Sequence, residues 1–378
     1  MKIKRIFQNL ALLALSVFIA MAFLEIVLRL VPDNKNARMM RGQDRLRRDN
    51  EFAFYEYDKF LGWKNKSLAE GPFVMPSSKT HVKINSKGLR DSEYAYEKEA
   101  GLTRILILGD SFTWGYGVEK KEIFTEKLEK MLGANFEVIN AGVTGYGTDQ
   151  ELIFLEREGL KYHPDIVILA FASNDFMQDN VSDFLGYYPK PYFILSDGGL
   201  RTANFPLPEI DGNSWNKLYN LRKETMKKEF IEAPKRKIGK LKSLSFLADR
   251  LKKLLYTLLR KAEFLSPLRA LGENEGRKGV TLTKALISRM NEDCKSADAR
   301  LIVFIIPYKC ALEKLPDPYM REFKEFFASN GIPYIDPYDD FLKKFGSGES
   351  FFLEYDDHWN ASGHALAAET IYEFLKKR

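Results

Sequence analysis

The sequence predicts an α/β fold in which helices cover both faces of a parallel sheet. Two observations carry this prediction: short, continuously apolar segments recur from residue 103 onward, and amphipathic segments separate them. Strands buried on both faces are apolar throughout, and parallel strands need crossover connections that are usually helical. Ligands of such sheets bind at the carboxyl ends of the strands. Reactive side chains are therefore expected where each strand ends.

Five segments are predicted strands, because they are short, apolar and bounded by turn residues. In chain order they are 104–108, 136–139, 165–171, 301–306 and 334–336. Helices are predicted at 120–132, 148–161 and 360–377 from their apolar periodicity. In the first of these helices the residues predicted to share one buried face are Ile123, Phe124, Leu128, Met131 and Leu132.

Composition is that of a globular protein with a substantial core. The chain has 378 residues, of which 45% are hydrophobic and 29% charged. Cys294 and Cys310 have no metal-ligand spacing, so they are read as two unpaired core thiols, with a disulfide as the alternative. With only four histidines, a histidine-dependent mechanism has few candidates for its base.

The N-terminus combines a basic leader with an apolar run. Lys2, Lys4 and Arg5 precede a run that is free of charge from 10 to 24 and stays largely apolar to Val31. These features predict an uncleaved signal-anchor, a transmembrane helix at 1–31 with its N-terminus in the cytoplasm. A cleaved signal peptide ending near 20–22 is the alternative. A stalk and a small β-rich lead-in are predicted at 32–100, and either reading puts the catalytic body outside the cytoplasm.

Basic charge is concentrated in one long insert at about 176–280, within the main domain at 101–378. Residues 215–261 contain fifteen Lys or Arg and four Asp or Glu, so the rest of the chain carries a net charge near −5. This uneven distribution argues against a nucleic-acid-binding domain. Residues 176–213 are predicted to form a loop, and 241–258 a basic amphipathic helix. That helix is read as a lid, or as a surface for anionic lipid or polymer.

Three predicted strands end in residues suited to acyl transfer. Ser111 follows the first strand in Gly-Asp-Ser-Phe, and a serine hydroxyl there can act as a nucleophile. Gly145 lies in the glycine-rich loop after the second strand, where its N–H can stabilise an oxyanion. Asn174 follows the third strand and can aim its amide at the same point. Each signal is weak alone, and the joint pattern is specific.

The base is predicted to be His358, in Asp-Asp-His-Trp-Asn before the last helix. Serine becomes a good nucleophile when a histidine, oriented by a carboxylate, removes its proton. His358 is the histidine that combines an acidic neighbour with a predicted loop at the sheet edge. His364 lies inside the predicted last helix and is read as a packing residue.

These blocks resemble the SGNH, or GDSL-like, hydrolase superfamily. The resemblance covers roughly 101–378 apart from the insert. It implies a flavodoxin-like three-layer α/β/α fold, with Ser111 as nucleophile and His358 as base. It further implies that the N–H groups of Ser111 and Gly145 and the amide of Asn174 form the oxyanion hole. No metal or organic cofactor is expected. The lead-in motif at 85–91 is also similar to membrane-anchored members of the superfamily.

The last motif departs from the commoner Asp-x-x-His spacing, because position 355 is tyrosine. Asp356-x-His358-Trp359 resembles instead the form found in membrane-associated polysaccharide O-acetyltransferases. Asp356 is therefore predicted to orient the histidine, with Asp357 as a second candidate.

Three functions remain open on the sequence. The first is hydrolysis of acyl esters, with acetyl esters as the expected substrates. The second is transfer of an acyl group to an envelope polysaccharide. In this case a membrane partner would supply the acyl group. The third is an inactive scaffold that binds glycan.

Overall fold

The computed structural model describes residues 52–75, 78–172, 175, 183–184, 188–196, 199–211, 273–312, 319–354 and 356–377. All of them belong to one compact unit, which comprises 39–219 and 272–378. The predicted anchor and stalk lie outside the described residues, as does the predicted basic helix at 241–258. Within the described ranges, no helix is long and apolar enough to cross a membrane.

The lead-in forms two antiparallel hairpins. Strand β1 (Tyr55–Asp58) pairs with β2 (Gly62–Asn65), and β3 (Glu70–Val74) pairs with β4 (Lys79–Lys83). Buried side chains of the second hairpin form a cluster with Trp114 and Tyr116. The lead-in therefore packs directly on the segment that follows the first strand of the main sheet.

The main sheet has five strands, all parallel, as the sequence predicts. They are β5 (Thr103–Gly109), β6 (Phe136–Gly142), β7 (Ile166–Phe171), β12 (Arg300–Ile305) and β13 (Tyr334–Ile335). Their order across the sheet is β13-β12-β7-β5-β6. Counted along the chain this order is 2-1-3-4-5, that of flavodoxin-like doubly wound sheets. The order reverses between β5 and β7, so the carboxyl end of β5 is where such folds bind ligands.

Between β7 and β12 the chain forms two short antiparallel hairpins. They are β8 (Asp183–Phe184) with β9 (Tyr188–Pro189), and β10 (Tyr192–Ser196) with β11 (Gly199–Ala203). The loop predicted at 176–213 is therefore wrong for these residues. Prolines mark the segment as irregular, but they do not prevent pairing in the residues between them.

Helices complete the three layers. They are α1 (Ser111–Trp114), α2 (Phe124–Leu132), α3 (Thr148–Arg157), α4 (Glu273–Ser296), α5 (Lys309–Leu312), α6 (Met320–Ser329), α7 (Tyr338–Gly346) and α8 (Ala361–Lys376). Along β5, Ile105 and Ile107 pack with α2, α7 and α8, whereas Leu106 and Leu108 pack with α3, α4 and α6. Alternate residues of one apolar strand thus serve two cores, as a sheet covered on both faces requires.

Two predicted helices are shorter than their patterns suggest. A 3₁₀ turn at Lys120–Glu122 precedes α2, because Ile123 takes an extended conformation between them. The helix predicted at 148–161 ends at Arg157, and a second 3₁₀ turn follows. Met131, predicted to be buried, is 38% exposed in the last turn of α2. Cys294 is a buried free thiol, and the side chain of Cys310 lies outside the described part of the chain.

Candidate active site

Ser111 lies at the carboxyl end of β5, as the first residue of α1. The Asp110 side chain caps this short helix by accepting a hydrogen bond from the Phe112 N–H at 2.9 Å. Gly109 makes the tight exit possible, since a Cβ there would approach the Thr113 Cβ to 2.9 Å. The Gly-Asp-Ser sequence therefore has two local roles, close packing and capping, besides supplying a hydroxyl.

His358 meets Ser111 across 247 residues of sequence. Its Nε2 lies 2.6 Å from the Ser111 Oγ, within hydrogen-bonding distance. The loop that carries it is pinned by a bond from the Leu353 N–H to the His358 carbonyl at 2.9 Å. The next residue, Trp359, is fully buried and donates its indole N–H to the Pro307 carbonyl. The packing of Trp359 beneath the loop therefore holds the His358 ring against the end of β5.

Asp356 is the carboxylate that contacts the histidine ring. Its Oδ1 is hydrogen-bonded to His358 Nδ1 and also accepts the His358 backbone N–H at 3.0 Å. A carboxylate on Nδ1 favours the tautomer that leaves Nε2 free to accept a proton. The structure thus brings Ser111, His358 and Asp356 into one chain of hydrogen bonds, with Asp357 beside it in the loop.

Two aromatic side chains enclose the histidine, and sequence reasoning missed both. Tyr116 stacks on the His358 ring at 4.5 Å between centroids, and Phe112 lies 4.9 Å away on a tilted plane. The histidine side chain is 16% exposed as a result. Both aromatics follow Ser111 within five residues in Ser-Phe-Thr-Trp-Gly-Tyr, and this proximity in sequence is the signal that could have found them.

Gly145 occupies the turn after β6. The Tyr146 N–H closes this turn on the Val143 carbonyl at 3.1 Å, and Gly145 has φ +81°. Next to the turn, Gly142 packs closely on α1. A Cβ on Gly142 would lie 2.3 Å from the backbone nitrogen of Trp114. Among the described residues, no group accepts a hydrogen bond from the N–H of Ser111 or Gly145. Asn174 lies outside the described residues.

The other histidines have structural surroundings. His364 is fully buried in α8, accepts a hydrogen bond from the Phe124 N–H at 3.3 Å and has a pKa lowered to about 3 by burial. His81 is exposed and pairs with Glu70. His163 is exposed at the end of a 3₁₀ turn. These surroundings agree with reading His364 as a packing residue.

The lead-in supplies a buried cation behind the serine. Arg90 is 1% exposed and donates to the carbonyls of Trp114 (3.0 Å), Gly115 (2.5 Å) and Val118 (2.7 Å). Its guanidinium also lies 4.5 Å from the Trp114 ring. Burial lowers the pKa of Arg90 to about 10, so the group remains charged at neutral pH. The predicted lead-in motif thus holds the chain just after α1.

A hydroxyl, an imidazole and a carboxylate linked at the carboxyl edge of a parallel sheet form the arrangement that serine hydrolases use. Residues 107–188 match the model of the GDSL-like Lipase/Acylhydrolase family. The matched segment contains both Ser111 and Gly145. The match supports an ester-hydrolysing enzyme.

The solved structures that match the chain share little sequence with it. A lipolytic protein of the G-D-S-L family from Veillonella parvula is 15% identical, with 73% of this chain and 100% of that chain covered and a TM-score of 0.40. A catalytic mutant of an acetylxylan esterase from Geobacillus stearothermophilus is 12% identical, with 73% and 95% covered and a TM-score of 0.40. The esterase EstA from Pseudoalteromonas sp. is 13% identical, with 73% and 97% covered and a TM-score of 0.39. No curated protein sequence matches the chain significantly.

Proposed function

We propose that the protein hydrolyses short acyl esters, acetyl esters foremost, with Ser111 as nucleophile, His358 as general base and Asp356 as orienting acid. The observation that carries the proposal is the continuous hydrogen-bond chain from the Ser111 Oγ through the His358 ring to Asp356. Of the other described histidines, His364 is buried against the Phe124 N–H, His81 pairs with Glu70, and His163 is exposed at the end of a 3₁₀ turn.

The proposed reaction proceeds in two halves. His358 Nε2 takes the proton of Ser111 as the Oγ attacks the ester carbonyl, and the imidazolium then protonates the departing alcohol. Water, deprotonated by His358, attacks the resulting acyl-serine, and the imidazolium returns the proton to the Ser111 Oγ as the carboxylic acid leaves. Asp356 holds the ring and stabilises its charged form. The mechanism uses no metal or organic cofactor.

The negative oxygen of each tetrahedral intermediate needs hydrogen-bond donors. The proposal assigns this role to the N–H groups of Ser111 and Gly145 and to the Asn174 side-chain amide. It is supported by the absence of other acceptors for the two N–H groups among the described residues. Removing one donor of this kind typically lowers the turnover number by a factor of about 10²–10³.

The test combines turnover with covalent labelling. Wild-type protein is expected to hydrolyse nitrophenyl acetate faster than longer nitrophenyl esters, and to react with a fluorophosphonate probe at Ser111. Ser111→Ala is expected to lose both activities. Ser362→Ala, which removes an exposed hydroxyl in α8, is the matched control and is expected to retain both. Turnover by Ser111→Ala at the wild-type rate would disprove the proposal, and wild-type protein that is neither labelled nor active would favour a scaffold.

Transfer to an envelope polysaccharide is the second candidate, favoured by the Asp356-x-His358-Trp359 spacing. Both reactions share the acyl-serine, and they differ in whether water or a sugar hydroxyl accepts the acyl group. Acetylated glycan formed from nitrophenyl acetate, with nitrophenol released only when glycan is present, would support the transferase. Equal nitrophenol release with and without glycan would support the hydrolase.

We further propose that the reaction takes place outside the cytoplasm, on a protein tethered by residues 1–31. The support is the basic leader and apolar run of the sequence. Protease added to intact cells and to cells with a permeabilised envelope tests the location. The expected result is degradation once the outer layers of the envelope are permeabilised, with the inner membrane still intact. The protein is also expected in the membrane fraction. A soluble protein that is resistant until the inner membrane is lysed would contradict it.

A further inference from the structure

Trp63 of β2 touches the turn that contains Gly145. Its ring is 1% exposed, and its indole Nε1 donates a hydrogen bond to the Thr144 carbonyl at 3.0 Å. A buried indole N–H needs an acceptor, and here the acceptor is 81 residues away in the chain. The bond therefore joins the lead-in to the loop after β6 at one peptide group.

The turn from Val143 to Tyr146 has type II geometry. Its hydrogen bond runs from the Tyr146 N–H to the Val143 carbonyl, and Gly145, its third residue, is the member with positive φ. Types I and II differ mainly in the direction of their central peptide group. In this turn the central peptide comprises the Thr144 carbonyl and the Gly145 N–H.

A trans peptide is planar, so its C=O and N–H point in opposite directions. A donor that fixes the Thr144 oxygen consequently fixes the direction of the Gly145 N–H. Donation to a carbonyl also polarises the N–H of the same peptide, which makes it a stronger donor. We propose that Trp63 is a positioning residue that directs and strengthens the Gly145 N–H as an oxyanion donor. The inference rests on the proposed function, in which that N–H stabilises the tetrahedral intermediate.

Further contacts brace the indole and its strand. The Tyr146 hydroxyl donates to the Trp63 carbonyl at 2.7 Å, and the two rings pack edge to face at 5.7 Å. Two residues along β2, Asn65 accepts the Trp114 indole N–H at 3.1 Å and donates to the Gly142 carbonyl at 3.3 Å. Strand β2 thus bonds both to the helix that begins with the serine and to the loop after β6. The strand that carries the indole is therefore fixed to both of these segments.

The experiment removes the indole N–H and keeps an aromatic side chain at position 63. In Trp63→Phe, kcat for nitrophenyl acetate is expected to fall about 10-fold with KM unchanged, which is less than the 10²–10³-fold cost of losing a donor outright. The inhibition constant of methylboronic acid, which forms a tetrahedral adduct on the serine, is expected to rise by a similar factor. Benzothienylalanine incorporated at position 63 replaces the N–H by sulfur in the same ring shape, and the same two changes are expected.

Tyr96→Phe is the control. It removes the hydrogen bond from a tyrosine hydroxyl to Glu158, near the start of β5, and leaves the indole bond to Thr144 in place. Its kcat and boronic-acid inhibition are expected to stay within about twofold of wild type, as for a change without a role in the reaction. Fluorophosphonate titration of active sites corrects every rate for the fraction of folded protein.

The outcomes separate this inference from the proposed function. If both position-63 variants keep wild-type kcat and boronic-acid inhibition while Ser111→Ala is inactive, Trp63 has no positioning role and the proposed function stands. An equal loss of kcat in Tyr96→Phe, or a change in KM alone, also overturns the inference. If Ser111→Ala turns over at the wild-type rate, the proposed function fails and the inference fails with it.

Discussion

At the scale of single residues, the surroundings of each histidine decide its chemistry. His358 has a carboxylate on one ring nitrogen and a serine hydroxyl on the other, and it retains some exposure. His364 carries the same imidazole but is buried between α2 and α8. Burial lowers the pKa of its ring to about 3. Burial disfavours the charged imidazolium, which a general base must become. His358 is therefore suited to proton transfer, and His364 is suited to packing.

Neutralising Asp356 tests the first of these environments. Asp356→Asn is expected to lower kcat by a factor on the order of 10²–10⁴, because the amide no longer favours the tautomer that leaves Nε2 as an acceptor. Asp357→Asn is the matched control, and its kcat is expected to stay within about threefold of wild type. Steady-state turnover of nitrophenyl acetate measures both. A larger loss in Asp357→Asn than in Asp356→Asn would assign the orienting role to Asp357.

The buried His364 makes stability depend on pH. Its pKa is 6.5 in an ordinary environment and about 3 when folded. Between those values the unfolded chain binds a proton that the folded chain excludes, so the free energy of unfolding falls as the pH decreases, by up to about 1.4 kcal/mol per pH unit. His364→Asn keeps an acceptor for the Phe124 N–H but cannot titrate.

Urea unfolding at pH 6.5 and pH 4.5 provides the comparison. Wild-type protein is expected to lose about 2 kcal/mol more between these pH values than the His364→Asn variant does. Above about pH 8 the histidine is neutral in both states, so the two proteins are expected to show the same pH dependence there. Equal slopes below pH 6.5 would contradict the burial argument.

At the scale of elements, the lead-in acts as a second support for the segment that carries Ser111. Arg90 satisfies three carbonyls at and beyond the end of α1, a helix too short to be stable by itself. Aromatic side chains of β3 and of the loop after α1 pack around Trp114 on the same side. The conformation that presents Ser111 consequently depends on residues that precede β5 as well as on the sheet.

Replacing Arg90 by lysine tests this support. An ammonium group cannot reproduce the planar fork of the guanidinium, so at least one buried carbonyl loses its donor. Arg90→Lys is expected to lower the free energy of unfolding by about 2–4 kcal/mol, measured by urea denaturation. Arg321→Lys changes a side chain that is 90% exposed in an i,i+4 pair. It is expected to stay within about 0.5 kcal/mol of wild type. Similar values for the two variants would mean that the Arg90 bonds contribute little.

At the scale of the whole molecule, the sheet order assembles the site. Strands β5 and β6 end side by side, because Gly109 pairs with Gly142. The last loop reaches the same edge through the packing of Trp359 against the core beneath it. Residues separated by up to 247 positions converge at the point where the strand order reverses.

Deletion variants test which parts of the chain this assembly needs. Removing residues 1–38 is expected to leave kcat for nitrophenyl acetate within about threefold, since the described site lies entirely outside that segment. Removing 1–100 is expected to give an insoluble or inactive protein, because it exposes Trp114 and Tyr116 and deletes Arg90. Soluble, active protein from the shorter chain would show that the lead-in is dispensable.

Local pattern was sufficient for much of this protein. Apolar segments separated by amphipathic ones predicted five parallel strands, because strand and helix periodicities are properties of neighbouring residues. The same reasoning predicted Ser111 and His358 as site residues from short motifs at predicted strand ends, and their side chains lie 2.6 Å apart. It failed for 176–213, where prolines suggested a loop and the described residues form hairpins.

Tertiary structure alone decided the rest. The sequence favoured Asp356 over Asp357 by resemblance without excluding Asp357, and the folded loop brings Asp356 onto the histidine ring. The contacts of Trp63 with Thr144, and of Arg90 with the end of α1, have no local signal. They join segments tens of residues apart, and such contacts depend on how the completed layers pack. The sequence thus determined which groups could react, and the packing between distant segments determined how they are held.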